Sequence, residues 1–238
     1  MSGHSKWANI KHRKAAQDAK RGNIFTRLGK ELTVAAKHGG GDPESNFRLR
    51  TMIDKARAAN MPADNIERAI KRGTGELPGV SYEEQLYEGY GPERIAVLVE
   101  CLTDNKNRTV SEMRRMFSSN SGNLAEAGAV SWLFDKKGVV RVSGSTISED
   151  ALLEQLLDCE IDDISVDENM ATITMNPKQL ETVKKVLMQK EYRIESAEVE
   201  WVAKNLVSLA PEKEKKVIDF LEKIEELDDT QNVYSNLA

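Results

Sequence analysis

The sequence predicts a multidomain α and α+β protein: an N-terminal helical bundle, a discontinuous α+β domain, and a ferredoxin-like domain of order βαββαβ inserted into the latter. Charge is sharply divided along the chain. Residues 1–75 hold 16 Lys and Arg against 7 Asp and Glu, a net +9, whereas residues 76–238 hold 18 against 32, a net −14. The apolar residues follow helical spacing up to about residue 73 and then change to short strand-like runs alternating with helical ones. Between the two regimes Glu76-Leu77-Pro78-Gly79-Val80 interrupts helicity. With 238 residues the chain can form one to three packed domains. The expected boundaries are 1–78 for the basic bundle, 79–136 with 206–238 for the discontinuous domain, and 137–205 for the acidic insert.

In the bundle, Asn23 is a candidate cap for a helix whose inner face is Ile24, Leu28, Leu32 and Ala35, ending before Gly39-Gly40-Gly41. Asp42-Pro43 supplies an N-cap and first-turn proline for a second helix with Leu49, Met52, Ile53 and Ala56 inward. Pro62 opens a third with Ile66, Ala69 and Ile70 inward, and Gly73 is its expected stop. Beyond the linker, Glu84–Glu88 and Ile95–Leu102 read as strands around a tight turn at Gly89-Tyr90-Gly91-Pro92. A helix is expected from Asn107 to about Ser118, and a strand over Ala129–Phe134.

The insert is more regular. Val139–Val142, Ile164–Val166, Ala171–Met175 and Ile194–Trp201 are strands, and Ser148–Cys159 and Pro177–Lys190 are helices. That order is the split βαβ arrangement. A last helix from Pro211 to Leu227 and the segment Asn232-Val233-Tyr234 have too little apolar surface to stand alone, so they are expected to pack back on residues 80–135.

The charge division points to a ligand for the basic part. Lys6, Lys11, Arg13, Lys14, Lys20 and Arg21 crowd the first 22 residues with Asp18 as the one acid, a footprint suited to a phosphate backbone. Placed on a helix over residues 6–21, these six cations fall on one half of the circumference with Trp7 and Ile10. Ala8, His12, Ala15, Ala16 and Ala19 fall on the other, and His12 and Trp7 are counted with the six cations as candidate nucleic-acid contacts. Trp7 fits a base-stacking role or an anchoring one. Arg48, Lys55 and Arg57 extend the surface along the second helix. Secondary candidates are Tyr87 and Tyr90, as stacking rings, and Lys106 and Arg108, beside a helix start that Asn107 or Thr109 can cap.

Other classes are disfavoured. The chain has no GxSxG, HExxH or GxxxxGK[ST] pattern, so no catalytic residue is assigned and an enzyme is not expected. Asp162-Asp163 and Asp228-Asp229 are read as solvated acids at element ends. His4, His12 and His38 are too dispersed for a metal site, and Cys101 and Cys159 read as unpaired thiols. No cofactor, metal or membrane is implied, and a cytoplasmic location is expected. The oligomeric state is not encoded legibly.

Four segments carry a family resemblance: Gly3-His4-Ser5-Lys6-Trp7-Ala8-Asn9-Ile10-Lys11-His12, Gly39-Gly40-Gly41-Asp42-Pro43, Tyr87-Glu88-Gly89-Tyr90-Gly91-Pro92 and Asp104-Asn105-Lys106-Asn107-Arg108-Thr109. Together they resemble the signature segments of the YebC/PmpR family along essentially the whole chain. The resemblance implies a helical N-terminal domain and two α+β domains, one inserted in the other. It also implies a DNA-binding transcriptional regulator. The alternative, from a mitochondrial relative and some bacterial members, is a ribosome-associated translation factor that binds rRNA and relieves stalls on proline-rich sequences. In either case the acidic domains would face the ribosome or the transcription machinery.

Overall fold

A computed structural model of the chain describes Trp7 and residues 21–144, 147–167 and 169–238, the side chains of 21–23 aside. The elements in order are α1 (Arg21–Gly39), α2 (Phe47–Ala58), α3 (Ala63–Thr74), β1 (Glu83–Tyr90), β2 (Ala96–Thr103), α4 (Lys106–Ser119) and β3 (Asn123–Ala125). They continue as β4 (Phe134–Ser143), α5 (Glu149–Gln155), β5 (Ile161–Asp167), β6 (Met170–Met175), α6 (Leu180–Gln189), β7 (Arg193–Ala203), α7 (Pro211–Glu225) and β8 (Thr230–Ser235). The protein is therefore a mixed α and α+β fold with two four-stranded sheets, of order β3-β1-β2-β8 and β5-β6-β4-β7. The described residues form two compact units.

The first unit comprises 21–130 and Pro211–Val233. Its helices α1–α3 close over Leu32, Ala35, Ala36, Leu49, Ile53 and Ile66. Asn46 is the N-cap of α2, in place of the expected Asp42. Its side chain accepts from Leu49 N–H at 3.1 Å and donates to the carbonyls of Ala35 (2.9 Å) and Gly40 (2.8 Å), tying the end of α1 to the start of α2. Asp42 instead makes the turn before it, accepting from the Glu44 amide at 3.0 Å. Asn23 lies inside α1 rather than capping it. At the end of α3 the left-handed position is taken by Gly75 (φ 83°), not Gly73. Gly73 lies within the helix, where a Cβ would sit 2.3 Å from the Thr33 carbonyl oxygen of α1. The α1–α3 crossing is close because that residue has no side chain.

In the first sheet β1 runs through Tyr90, paired with β2 from Glu83↔Thr103 to Tyr90↔Ala96. The expected turn at Gly89 is displaced to Gly91–Ile95, closed by the Gly91 amide donating to the Ile95 carbonyl at 2.8 Å. Helices α4 and α7 meet through Phe117 and Phe220, edge to face at 5.1 Å. The chain leaves this sheet after β3 and returns to it only at β8, as the sheet order requires.

The second unit holds Ser131–Ala210 and Tyr234–Ala238, together with Trp7. Its β4-α5-β5-β6-α6-β7 succession and antiparallel order β5-β6-β4-β7 are the ferredoxin-like topology. Val140, Val142, Ile173, Leu152, Val183 and Leu187 belong to its core. Arg141 and Glu200 pair across β4 and β7 through two hydrogen bonds of 2.5 and 2.9 Å, both groups largely out of water. Residues expected as a strand over Ala129–Phe134 form a 3-10 turn at Ser131–Leu133 instead, and β4 begins at Phe134.

Gly73→Ala separates intrinsic helix preference from packing. Preference alone would stabilise by about 0.5–1 kcal/mol, whereas overpacking against a backbone carbonyl costs about 1–3 kcal/mol. The expected outcome is a lower melting temperature and a net loss in urea unfolding.

Candidate functional site

Among the described residues, the most heavily interconnected polar cluster lies where α1, the end of β2, the start of α4 and the approach to β8 meet. Its centre is Asp229, 3% exposed. The carboxylate accepts from Lys30 Nζ at 2.8 Å on Oδ1, and on Oδ2 from Arg108 (2.8 Å), Thr109 (2.7 Å) and Thr103 (3.1 Å). Lys30 is itself buried, 8% exposed. Its ammonium also reaches the carbonyls of Asp228 (2.9 Å) and Leu102 (3.4 Å), so three acceptors surround its three protons. The Asp229 backbone carbonyl accepts from the Leu102 amide at 2.8 Å.

Local sequence places each partner. Asn105 caps α4 by accepting from Arg108 N–H at 3.1 Å, which fixes Arg108 and Thr109 on its first turn. Thr103 accepts from the Asn105 amide at 2.9 Å while its own hydroxyl faces Asp229. Burial alone would push the Asp229 carboxyl up. The hydrogen bonds from Arg108, Lys30 and Thr109, with the Lys30 charge, outweigh it and hold the carboxyl down to about 2. Arg108 is pushed the opposite way, above its ordinary value, by its bonds to Asp229 and Asp104.

Asp229 therefore corrects the expectation of a solvated acid at an element end. It also corrects the choice of cap, since Asn105, not Asn107 or Thr109, caps α4. The cluster was missed because Lys30 and Asp229 are 199 residues apart; the one local hint was an acid directly followed by the β-branched Thr230.

Of the residues expected to bind nucleic acid, Lys6, Lys11, His12, Arg13, Lys14 and Lys20 lie outside the described residues, as does the expected arm helix apart from Trp7 and Arg21. Arg21 begins α1. Trp7 is 2% exposed, so a stacking role would require its ring to be uncovered. On α2, Arg57 is exposed and Lys55 half-buried. Arg48 forms an ion pair with Glu84 of β1. Lys106 pairs with Glu83 at 2.5 Å and Arg108 with Asp104 at 2.7 Å in addition to Asp229. These three cations are thus engaged within the fold. Tyr87 and Tyr90 are three positions apart on β1, which puts them on opposite faces of the strand rather than on one stacking platform. The Tyr90 hydroxyl donates to the Ala129 carbonyl at 3.4 Å; burial raises the Tyr87 phenol above its ordinary value.

Among the described residues no group of three or more His, Cys, Asp or Glu could hold a metal ion. Cys101 is buried and burial pushes its thiol up to about 12, so it is a poor nucleophile. No helix among the described residues is long and apolar enough to cross a membrane.

Residues 5–76 match the family model described as the TACO1/YebC protein N-terminal domain, and residues 82–237 match the model of the TACO1/YebC second and third domain. The chain is 54% identical to a "Probable transcriptional regulatory protein" of Nitrosococcus oceani and 50% identical to one of Dictyoglomus turgidum. Each match covers 99% of this chain and 95% of the relative. A crystal structure of a conserved hypothetical protein from Aquifex aeolicus superposes with a TM-score of 0.84 at 44% identity, over 93% of this chain and 91% of that one.

A carboxyl held low in the fold contributes stability that is complete above the ordinary carboxyl range and disappears as pH falls through its folded value. Unfolding free energy is therefore expected to drop between about pH 4 and pH 2 by on the order of 2 kcal/mol from this group alone. Asp229→Asn should remove that part of the acid dependence, as read by urea titrations across the range. Asp229→Ala, which strands the buried Lys30 ammonium, should cost about 3–5 kcal/mol at neutral pH.

Proposed function

This chain belongs to the TACO1/YebC family, and on that premise we propose that it is a DNA-binding transcriptional regulator whose basic N-terminal domain, residues 1–78, grips the phosphate backbone. The names of the relatives point to a regulatory rather than an enzymatic role. The observation that carries the reading is the division of charge, +9 over residues 1–75 against −14 over the remainder. Polyanion binding is dominated by released counterions, and a segment of that charge favours it regardless of base sequence.

The contacts are assigned to Lys6, Lys11, Arg13, Lys14, Lys20 and Arg21, with Arg57 and Lys55 alongside. Arg48, Lys106 and Arg108 are weaker contributors, because each would have to leave an acid partner within the fold to meet a phosphate. Contacts of this kind position the protein on a duplex without reading its sequence. The acidic part, repelled by the same backbone, is left to engage proteins of the transcription machinery.

Replacing Lys11, Arg13 and Lys14 with Glu should abolish binding to duplex DNA at moderate salt while leaving the melting temperature within a few degrees of the parent. Replacing the same three with Ala should reduce the slope of log affinity against log salt by about 0.9 for each phosphate that is no longer neutralised. Gel shifts over a salt series measure both, alongside sedimentation with ribosomes. Unchanged affinity at low salt would overturn the assignment of the arm. Ribosome co-sedimentation without duplex binding would replace DNA with rRNA as the ligand.

A further inference from the structure

We infer that the groove between β1, β3 and α4 receives an extended peptide strand from a partner protein, which pairs with the open edge of β1 and presents a carboxylate to Arg114. Strand β1 has eight residues, but on its outer side β3 pairs only with Glu88, Gly89 and Tyr90. Among the described residues no strand occupies that side of Glu83–Tyr87. Alternate residues of such an edge turn backbone N–H and C=O groups outward, a template for another extended chain.

The short length of β3 has a local cause. The Glu88 carboxylate accepts from the amides of Gly128 and Val130, each at 2.9 Å, and Gly128 adopts φ 90°. These bonds draw the chain out of the strand direction after Ala125. Had β3 continued antiparallel, its next residue would have stood opposite Tyr87. The edge is therefore left open by a specific set of hydrogen bonds.

Beside this edge lies a cavity of about 570 Å³ whose lining includes Leu86 and Tyr87 of β1, Leu124 of β3, and Val110 and Arg114 of α4. That volume is within the roughly 300–1,000 Å³ of ordinary ligand pockets. The apolar part of its lining suits the side chains that a pleated strand would direct toward it. Arg114 is exposed and, among the described residues, forms no ion pair, unlike Lys106 and Arg108 on the same helix. Glu88 and Glu126 also line the cavity, which disfavours a polyanion such as nucleic acid. One carboxylate flanked by apolar side chains, on a chain able to pair with β1, meets all these features, and strand addition is an established way of recognising peptides.

The test uses the full chain to select from a phage-displayed library of random nonapeptides, followed by titration of synthetic versions of those enriched. Enriched peptides should combine apolar residues with an acidic side chain or free C-terminus. Their binding should slow amide hydrogen exchange along Glu83–Tyr87. N-methylation of one alternate set of peptide amides should weaken binding about tenfold or more, the loss of a few main-chain hydrogen bonds, while the other set has little effect. Arg114→Ala should cost several-fold for the same peptides, Val110→Trp should block them, and neither should alter affinity for DNA. The inference is overturned if no peptide enriches over an unrelated control protein, if exchange protection lies elsewhere, if both methylated sets bind as tightly as the parent, or if Arg114→Ala weakens DNA binding and leaves peptide binding intact.

Discussion

One buried carboxylate sets the geometry of the larger unit. Asp229 joins Lys30 of the helical bundle to Thr103, Arg108 and Thr109 of the sheet domain, so three other chain segments share a single acceptor group. Withdrawing a charge from water is costly unless every lone pair and proton finds a partner. Here Lys30 is surrounded by three acceptors and Asp229 by four donors, and the local backbone follows from that requirement. The Asn105 cap aims the first turn of α4 at Asp229, and the tail returns after the ferredoxin-like unit to bring Asp229 beneath Lys30. The pairing explains why the tail must rejoin the first sheet: without it α1 would carry an uncompensated buried ammonium.

The same requirement separates structural cations from those available to a ligand. Formal charge marks the N-terminal third as basic, yet Lys30, Arg48 and Lys71 are committed to Asp229, Glu84 and Glu67. Burial also pulls the Arg27 guanidinium below its ordinary value, with Glu225 and Asp228 acting against it. The described part of the bundle therefore offers a polyanion less positive charge than its formal count implies. In the same unit, Glu88 uses its charge on two backbone amides, beside the part of the outer edge of β1 that β3 does not cover. Acids and bases in this protein thus fix backbone paths first.

The ferredoxin-like order was legible because its elements carry their own patterns and are bounded by turn residues: Val139–Val142 is a short β-branched run, Ala171–Met175 alternates, and Leu152, Leu156, Val183 and Leu187 recur at helical spacing. Features set by distant partners were not legible. The Asp228-Asp229 pair has the look of a solvated helix end, and only Lys30, far away in sequence, makes one member a buried centre. Three residues of β3 are too few to show any period. Gly73 and Gly75 are both plausible helix stops, and the choice between them rests on how closely α1 passes. Most of the basic arm falls outside the described residues, so the candidate interface stands on charge pattern and family membership, with Arg57 and Lys55 placed on α2.

A double-mutant cycle between Lys30 and Asp229 tests the central claim most directly. Urea unfolding of the parent, Lys30→Met, Asp229→Asn and the double variant gives the coupling between bundle and sheet domain free of the other partners. Strong coupling, toward the upper part of the roughly 0.5–3 kcal/mol range seen for groups in contact, is predicted, with the double variant more stable than the sum of the single losses implies. Losses that add to within about 0.5 kcal/mol would show that the two groups do not depend on each other and would contradict the account.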